Sequence, residues 1–211
     1  MSGLGSMRTT YRHGDLRATL VAVGIELARQ GGPDAVVLRE ATRQAGVAPN
    51  AAYRHFADRA ALLAAVSDEA QAIVADRIEI AFDAIPDTGD ATADARARLT
   101  AIGRAYIDFA CTDPGLFRAA FTVPRDLATA LEPPKAGARG RTPFELLGVS
   151  LDALVEAGAL PAERRPGAEF LAWSAVHGLA MLHLEGPLAH LGSPMLEGVR
   201  DRVVEMAVRG I

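Results

Sequence analysis

Residues 38–56 have the sequence Leu-Arg-Glu-Ala-Thr-Arg-Gln-Ala-Gly-Val-Ala-Pro-Asn-Ala-Ala-Tyr-Arg-His-Phe. Gly46 divides this stretch into two short helical patterns, because glycine readily adopts the positive φ that a tight turn needs. Pro49 is tolerated at the first position of a helix, so a second helix is predicted from there through His55 or Phe56. The stretch therefore predicts two short helices on either side of one tight turn.

A longer helix is predicted before this stretch. Its apolar face is formed by residues at spacings of four, three and four, namely Leu16, Leu20, Val23 and Leu27. Gly31-Gly32-Pro33 is expected to end it. Two short helices joined by a tight turn and packed on a longer helix form a helix-turn-helix, predicted here over about residues 38–57.

Helical periodicity continues through the rest of the chain. Asp58 is a suitable N-cap for a long helix to about Ile85, whose inward positions are predicted to be Leu62, Val66, Ile73 and Ile80. The Pro- and Gly-rich stretch 123–142 predicts a mobile connection. Further helices are predicted over 92–112, 115–121, 143–157, 166–185 and 195–209. We find no strand pattern, so the predicted fold class is all-α, with a three-helix head, residues 11–66, and a helical body, residues 67–211.

Composition and charge restrict the classes of protein. Of the 211 residues, 50% are hydrophobic and 23% are charged, which excludes a disordered or fibrous chain. The single cysteine, Cys111, cannot form an internal disulfide, and no signal peptide or membrane span is evident, so we expect a cytoplasmic protein. The net charge is +3 over residues 1–59 and −7 over the remainder. A basic head on an acidic body is typical of a nucleic-acid-binding module joined to another domain.

Two groups of residues carry a family resemblance. Gly46-Val47, Tyr53-x-His55-Phe56 and Asp58-Arg59-x-x-Leu62-Leu63 resemble the DNA-binding head of tetracycline-repressor-type (TetR) regulators, as does the lead-in from Tyr11 to Arg17. Downstream, Asp113-Pro114-Gly115-Leu-Phe117 and Trp173-x-x-x-His177-Gly178 resemble a TetR C-terminal class named for its Trp, His and Gly. The resemblance implies a homodimer that binds double-stranded operator DNA, responds to a small effector and represses transcription. A helical scaffold or binding protein with a degenerate head is the alternative.

The head departs from the family pattern in its capping and packing. Val37 and Ala48 stand where Ser or Thr usually caps a helix, so both caps are expected to be weak. Glu40 is positioned to supply half of a capping box. The smaller Ala41 and the polar Thr42 predict light packing.

The predicted DNA contacts follow from side-chain chemistry. Arg39 is predicted to read a guanine, because a guanidinium can bond guanine O6 and N7 together; a solvated arginine is the alternative. On the second motif helix, opened by Pro49, Asn50 is expected to read adenine or bind phosphate, and the Ala51 methyl to touch thymine. The resemblance implies phosphate contacts from Tyr53, His55 and Arg59. Arg8 and Arg12 lie on a flexible arm and are candidates to follow the DNA backbone or minor groove, and Arg54 is a further candidate DNA contact. For each of these three arginines, exposure to solvent alone is an equally good explanation.

We find no catalytic or metal-binding constellation. Cys111 lies at the end of an amphipathic pattern, where a buried inert thiol is favoured over a nucleophile. His177, His183 and His190 are six and seven residues apart, which is not the spacing of a zinc helix. We therefore expect no enzyme, no metal and no cofactor.

The body is predicted to hold an effector cavity lined by apolar side chains with a few polar groups. The candidate lining residues are Tyr106, Phe109, Cys111, Phe117, Phe121, Trp173, His177 and Met181. Ordinary core packing is the alternative for each. Because this lining has much apolar surface and few charges, we expect an apolar or aromatic effector.

The last two long helices are predicted to form the dimer interface. Their apolar and small-residue stripes are wider than one chain need cover, and comprise Phe170, Leu171, Ser174, Gly178, Leu182, Val199, Val203 and Met206. An intramolecular helix pair is the alternative. The dimer follows chiefly from the family resemblance and from the two-fold symmetry of operators.

Overall fold

The computed structural model describes residues 16–121 and 127–211. Within these ranges the chain forms nine α-helices and no strand, which confirms the all-α prediction. The helices are α1 Leu16–Ala35, α2 Leu38–Ala45, α3 Pro49–Ala52, α4 Arg59–Asp83, α5 Ala91–Thr112, α6 Pro114–Phe121, α7 Pro143–Glu156, α8 Ala168–Leu184 and α9 Ser193–Gly210. The predictions for Arg8 and Arg12, for the lead-in through Asp15 and for residues 123–126 of the mobile connection lie outside the described residues.

The head forms the predicted helix-turn-helix, with a difference at its second short helix. α1 is interrupted at the predicted position, because Gly31 and Gly32 leave the helical conformation, with φ of −147° and 69°. Gly46 follows α2 in the left-handed conformation, with φ of 68°, and closes the tight turn. α3 ends at Ala52 rather than at His55 or Phe56. The amides of His55 and Phe56 both donate to the carbonyl of Ala52, at 2.9 Å, in a turn that directs the buried Phe56 into the core. The expected extra helical turn is therefore replaced by a tighter one.

The caps of the two motif helices are weak. Neither Val37 nor Ala48 caps its helix with a side-chain hydrogen bond, as predicted. The capping-box prediction for Glu40 is wrong. Its carboxylate accepts from Arg43 at 2.8 Å and from Gln44 at 2.7 Å, and these hydrogen bonds lower the pKa of Glu40 to about 2.

α4 connects the head to the body. Asp58 caps it by accepting from the amide of Ala61 at 2.8 Å, as predicted. Its inward stripe advances by four residues at a time and comprises Leu62, Val66, Ala70, Val74 and Ile78, all fully buried. The prediction for Ile80 is wrong, because Ile80 lies about 200° around the helix from Ile78 and is 71% exposed. Ile73 is half-buried at the edge of the stripe.

One hydrophobic core runs from the head into the body. It joins α1 and α4 to α5, α6, α8 and α9, and a second cluster lies between α5, α7 and α8. The predicted boundary between residues 66 and 67 falls inside α4. Head and body therefore share packed side chains, so a displacement on one side of the boundary affects the other.

Part of the predicted mobile connection is tied to α4. The Ala138 amide donates to Asp76 at 2.7 Å, Arg141 Nε donates to Glu79 at 2.6 Å, and Arg139 pairs with Asp83. Lys135 is fully buried and lies 3.9 Å from Asp68. The prediction of a mobile connection is therefore wrong for residues 135–141, because acidic side chains of α4 hold the segment along the helix.

No helix in the described ranges is long and apolar enough to cross a membrane.

Candidate DNA-binding surface and effector pocket

Most of the predicted DNA contacts of the motif are exposed to solvent. Arg39, Pro49, Asn50, Tyr53 and His55 are exposed, and Ala51 is half-buried. The opposite side of the motif carries the buried side chains of Ala41, Ala52 and Phe56, which fix it to the core. This division follows from the sequence, since the small and aromatic residues face inward and the polar ones face solvent.

Charge pairing distinguishes the arginines of this face. Arg43 is paired with Glu40 at 2.5 Å, so its charge is already matched. Arg39 makes no ion pair or side-chain hydrogen bond with any described residue. Of the two arginines of α2, Arg39 is therefore the one whose N–H donors are not engaged by another described residue and can bind DNA.

Arg59 has a structural contact that the sequence did not predict. Its Nε donates to the carbonyl of Val36 at 2.9 Å, and its Nη2 donates to the carbonyl of Pro33 at 2.6 Å. Asp34 lies 3.4 Å from the same Nη2. Arg59 thus ties the start of α4 to the connection between α1 and α2, and these donors are engaged within the chain.

The body contains a partly open cavity of about 170 Å³. Most of its lining is apolar and comes from α4 to α9, the segment 129–135 and the C-terminal residue. The lining residues are Gln71, Ile78, Leu99, Ile102, Gly103, Tyr106, Ala120, Phe121, Thr129, Ala130, Lys135, Pro143, Phe144, Leu147, Ala172, Trp173, Val176, Val204, Ala207, Val208 and Ile211. Its size and lining suit a small apolar molecule, because a cavity of about 150 Å³ accommodates benzene.

Three of the eight residues predicted to line an effector cavity lie in this wall. Tyr106, Phe121 and Trp173 line the cavity. The other five predicted residues do not: Phe109, Cys111, Phe117, His177 and Met181. Phe109 and Phe117 are fully buried in an aromatic cluster behind Tyr106, with Phe117 edge-on to the Tyr106 ring at 5.4 Å between centroids. Helical periodicity gives the face of a residue but not its depth, so it cannot separate a cavity wall from the packed layer behind it.

A hydrogen-bonded chain of three side chains supports the cavity wall. The indole N–H of Trp173 donates to Tyr106 Oη at 3.1 Å, and Tyr106 Oη lies 2.9 Å from His177 Nδ1. Burial raises the pKa of Tyr106 and lowers the pKa of His177. Both groups are therefore neutral near neutral pH, and the hydrogen-bonded chain fixes the orientation of the Tyr106 and Trp173 rings.

Three polar lining residues, Gln71, Thr129 and Lys135, were missed by the sequence analysis. Gln71 projects from α4, and its amide nitrogen donates to the carbonyl of Ala120 at 2.9 Å. Lys135 donates to the carbonyl and, at 2.7 Å, to the hydroxyl of Thr129, and to Glu132 at 3.4 Å. A buried lysine in a Pro- and Gly-rich stretch gives no sequence signal, because its burial depends on residues of α4 that lie far away in the chain.

Cys111 is a poor nucleophile in its surroundings. It is half-buried at the end of α5, and burial together with nearby Asp108 raises the pKa of its thiol. The reactive form of cysteine is the thiolate, which these surroundings disfavour. In the described ranges, no group of three or more His, Cys, Asp or Glu residues is placed to hold a metal ion.

α8 leaves an apolar stripe uncovered. Phe170, Leu171 and Leu182 are exposed large apolar side chains, with Ser174 exposed and Gly178 half-buried between them. On α9, Met206 is 61% exposed. Val199 and Val203 differ from this pattern, because they are half-buried and pack against the core of their own chain. Packing of α8 and α9 within one chain therefore accounts for Val199 and Val203. It does not account for the exposed apolar stripe of α8.

These features define a helix-turn-helix protein whose helical body contains a ligand-sized cavity. Residues 20–66 match the family model described as bacterial regulatory proteins, tetR family. Residues 99–209, more than half of the chain, match the model described as tetracyclin repressor-like, C-terminal domain. The chain belongs to the TetR family of bacterial regulatory proteins.

Solved structures share this architecture. The chain is similar to a protein of unknown function from Rhodococcus sp. RHA1, with 26% sequence identity and a TM-score of 0.64 over 96% of this chain and 98% of that one. It is also similar to a TetR-family transcriptional regulator from Pectobacterium atrosepticum, with 20% identity and a TM-score of 0.60 over 92% and 89% of the two chains. A transcriptional regulator from Rhodococcus sp. Rha1 gives 18% identity and a TM-score of 0.52 over 92% and 96%. No curated protein matches the chain.

Proposed function

We propose that the protein is a homodimeric, ligand-responsive transcriptional repressor that binds a palindromic operator. The observation that carries the proposal is the outer face of the motif, where Arg39, Asn50, Tyr53 and His55 are exposed on a scaffold fixed by Phe56. Such a face offers a base-reading guanidinium and amide beside groups that bind phosphate. Its proposed base contacts are Arg39, Asn50 and Ala51. Its proposed phosphate contacts are Tyr53, His55 and the two remaining N–H donors of Arg59, on Nη1.

The dimer is proposed to form through the exposed stripe of α8 with the outer edge of α9. Large apolar side chains left in water favour association, and Ser174 and Gly178 permit close approach of two helices. A two-fold dimer places two heads on one face, which matches the symmetry of a palindromic operator. We also propose that the body belongs to the TetR C-terminal class named for its Trp, His and Gly, because Trp173, His177 and Gly178 match that pattern. A regulator that binds bacterial DNA is expected to act in the cytoplasm.

Two helices connect the cavity to the head. α4 carries Gln71 and Ile78 in the cavity wall and begins at Arg59 beside the motif. α6 carries Ala120 and Phe121 in the wall, while its other end packs against α1. A ligand that prefers one arrangement of these helices shifts the spacing of the two heads, and so the affinity for DNA.

The test is a selection of bound fragments from genomic DNA at several salt concentrations. We expect enrichment of a palindrome and a steep fall in affinity as salt increases, because phosphate contacts release counterions. Retention of no DNA at low salt would overturn the proposal in favour of a helical scaffold protein. A selected site without two-fold symmetry would overturn the dimeric mode of binding.

A further inference from the structure

Most polar groups in the cavity wall are already hydrogen-bonded within the protein. The single indole N–H of Trp173 is used by Tyr106, and the hydroxyl of Tyr106 is used by Trp173 and His177. The three N–H donors of Lys135 are directed to Thr129 and Glu132. These groups give the wall its shape, but they leave little for a ligand to bond.

Gln71 is different from the other polar residues of the wall. One N–H of its amide donates to Ala120, and its carbonyl oxygen, Oε1, has no partner among the described residues. An amide oxygen accepts two hydrogen bonds, so Oε1 has both acceptor positions open toward the cavity that Gln71 lines. A ligand with one hydrogen-bond donor would satisfy it.

The rest of the cavity wall restricts the size and the charge of the ligand. At about 170 Å³, the cavity suits a single six-membered ring with one or two small substituents. The rings of Tyr106, Phe121, Phe144 and Trp173 all line it. Among the described residues of the wall Lys135 is the only cation, and its donors are directed to Thr129 and Glu132. A carboxylate would therefore lose its hydration without meeting a described cation that has donors to spare.

We propose that the cavity binds a neutral, single-ring phenol whose hydroxyl donates to Gln71 Oε1. This inference rests on the proposed function, because it takes the cavity as the effector site. It also places the polar contact on α4, the helix that leads to the head. Binding therefore acts directly on the helix that begins at Arg59.

The experiment compares p-cresol with toluene, which has the same ring and methyl group but no hydroxyl, and with benzoate. Trp173 is the only tryptophan of the chain and lines the cavity, so intrinsic fluorescence follows binding. For the wild-type protein we expect saturable binding of p-cresol and binding of benzoate at least about tenfold weaker, because a buried unpaired charge is costly. This comparison needs no variant.

The role of Gln71 is tested with Gln71→Leu and with the matched control Ser67→Ala. Ser67 also donates to the carbonyl of Ala120, at 3.2 Å, but does not line the cavity. In Gln71→Leu the preference for p-cresol over toluene should fall by about fivefold or more, because a buried hydroxyl is left without an acceptor. In Ser67→Ala the preference should stay within about twofold of wild type, since the acceptor for the ligand remains.

Three results would overturn the inference: no saturable binding of p-cresol, benzoate binding as tightly as p-cresol, or an unchanged preference in folded Gln71→Leu. Binding to genomic DNA, measured on the same preparations, separates this inference from the proposed function. DNA binding without p-cresol binding overturns the ligand class alone. Binding of p-cresol without DNA binding supports the ligand class and overturns the proposed regulator.

Discussion

Gly115 of α6 lies directly against the backbone of α1 at Ala28. A Cβ at Gly115 would be 2.2 Å from the carbonyl oxygen of Ala28 and 2.8 Å from that of Arg29. Asp113, just before α6, adds ion pairs to Arg29 at 3.7 Å and to Arg77 at 2.5 Å. Since Ala120 and Phe121 at the other end of α6 line the cavity, this short helix bridges the cavity wall and the head.

Gly115→Ala should therefore disturb both stability and the coupling of ligand to DNA. Backbone atoms cannot yield to a methyl group, so α6 must move away from α1. We expect a loss of about 1–3 kcal/mol in the free energy of unfolding, measured by urea denaturation, and weaker DNA binding. Gly148→Ala on α7 is the control, because its Cβ would meet nothing closer than 3.8 Å. Equal stability of the two variants would contradict the close contact.

Arg59→Ala should destabilise the head. The substitution removes hydrogen bonds to the carbonyls of Val36 and Pro33. A hydrogen bond from a charged donor contributes up to about 3 kcal/mol to the free energy of unfolding, and less at an exposed site. We expect the free energy of unfolding to fall by about 1–3 kcal/mol. If Arg59 also contacts phosphate, the dependence of DNA affinity on salt decreases by about one unit of slope per subunit. A fully stable Arg59→Ala protein would show that the contact contributes nothing to the fold.

Arg39→Ala should change sequence preference more than stability. Its side chain is exposed and unpaired among the described residues, so the fold does not depend on it. Loss of a bidentate contact to guanine should cost about 1–3 kcal/mol at the selected operator and relax preference at one base pair of each half-site. Arg43→Ala is the control, because Arg43 is held by Glu40. An unchanged sequence logo for Arg39→Ala would refute the base-reading role.

Local signals in the sequence were sufficient to place the turn and the helix starts of the head. Gly46, Pro49 and Asp58 act on their own turns or helix ends, and the structure places a turn or a helix start at each. The inward position predicted for Ile80 was wrong because periodicity is ambiguous in this helix. α4 is rich in alanine and has apolar residues on several faces, so its periodicity does not single out the stripe that ends at Ile78.

The cavity wall depends on contacts between distant parts of the chain. Gln71 bonds to Ala120, 49 residues away, and Arg141 bonds to Glu79, 62 residues away. No periodicity within one segment encodes such pairs. The same limit explains His177, which shares a helix face with Trp173 but hydrogen-bonds to Tyr106 behind the wall instead of facing the cavity.

The pH dependence of stability should reflect His177. Burial lowers the pKa of this imidazole in the folded protein from its ordinary value of about 6.5. Between the folded-state pKa and about pH 6.5, the imidazole is protonated more often in the unfolded chain than in the folded protein. The stability contributed by the neutral His177 is therefore complete above about pH 6.5 and is lost as the pH falls to the folded-state pKa. In His177→Gln an amide oxygen can still accept from Tyr106, and the decline measured by urea denaturation should be shallower. Identical declines in the two proteins would contradict this assignment.

Leu182→Arg should produce folded monomers. Leu182 is 46% exposed on α8, so an arginine is tolerated in the isolated chain, whereas a dimer contact would bury its charge without a partner. Val149→Arg on α7 is the matched control, because Val149 is 45% exposed but lies outside the proposed interface. Sedimentation should show a monomer for the first variant and a dimer for the second, with helical circular dichroism retained in both. Since each half-site is read by one head, the monomer should also lose affinity for a palindrome far more than for a single half-site. A dimeric Leu182→Arg protein would place the interface on another face of the molecule.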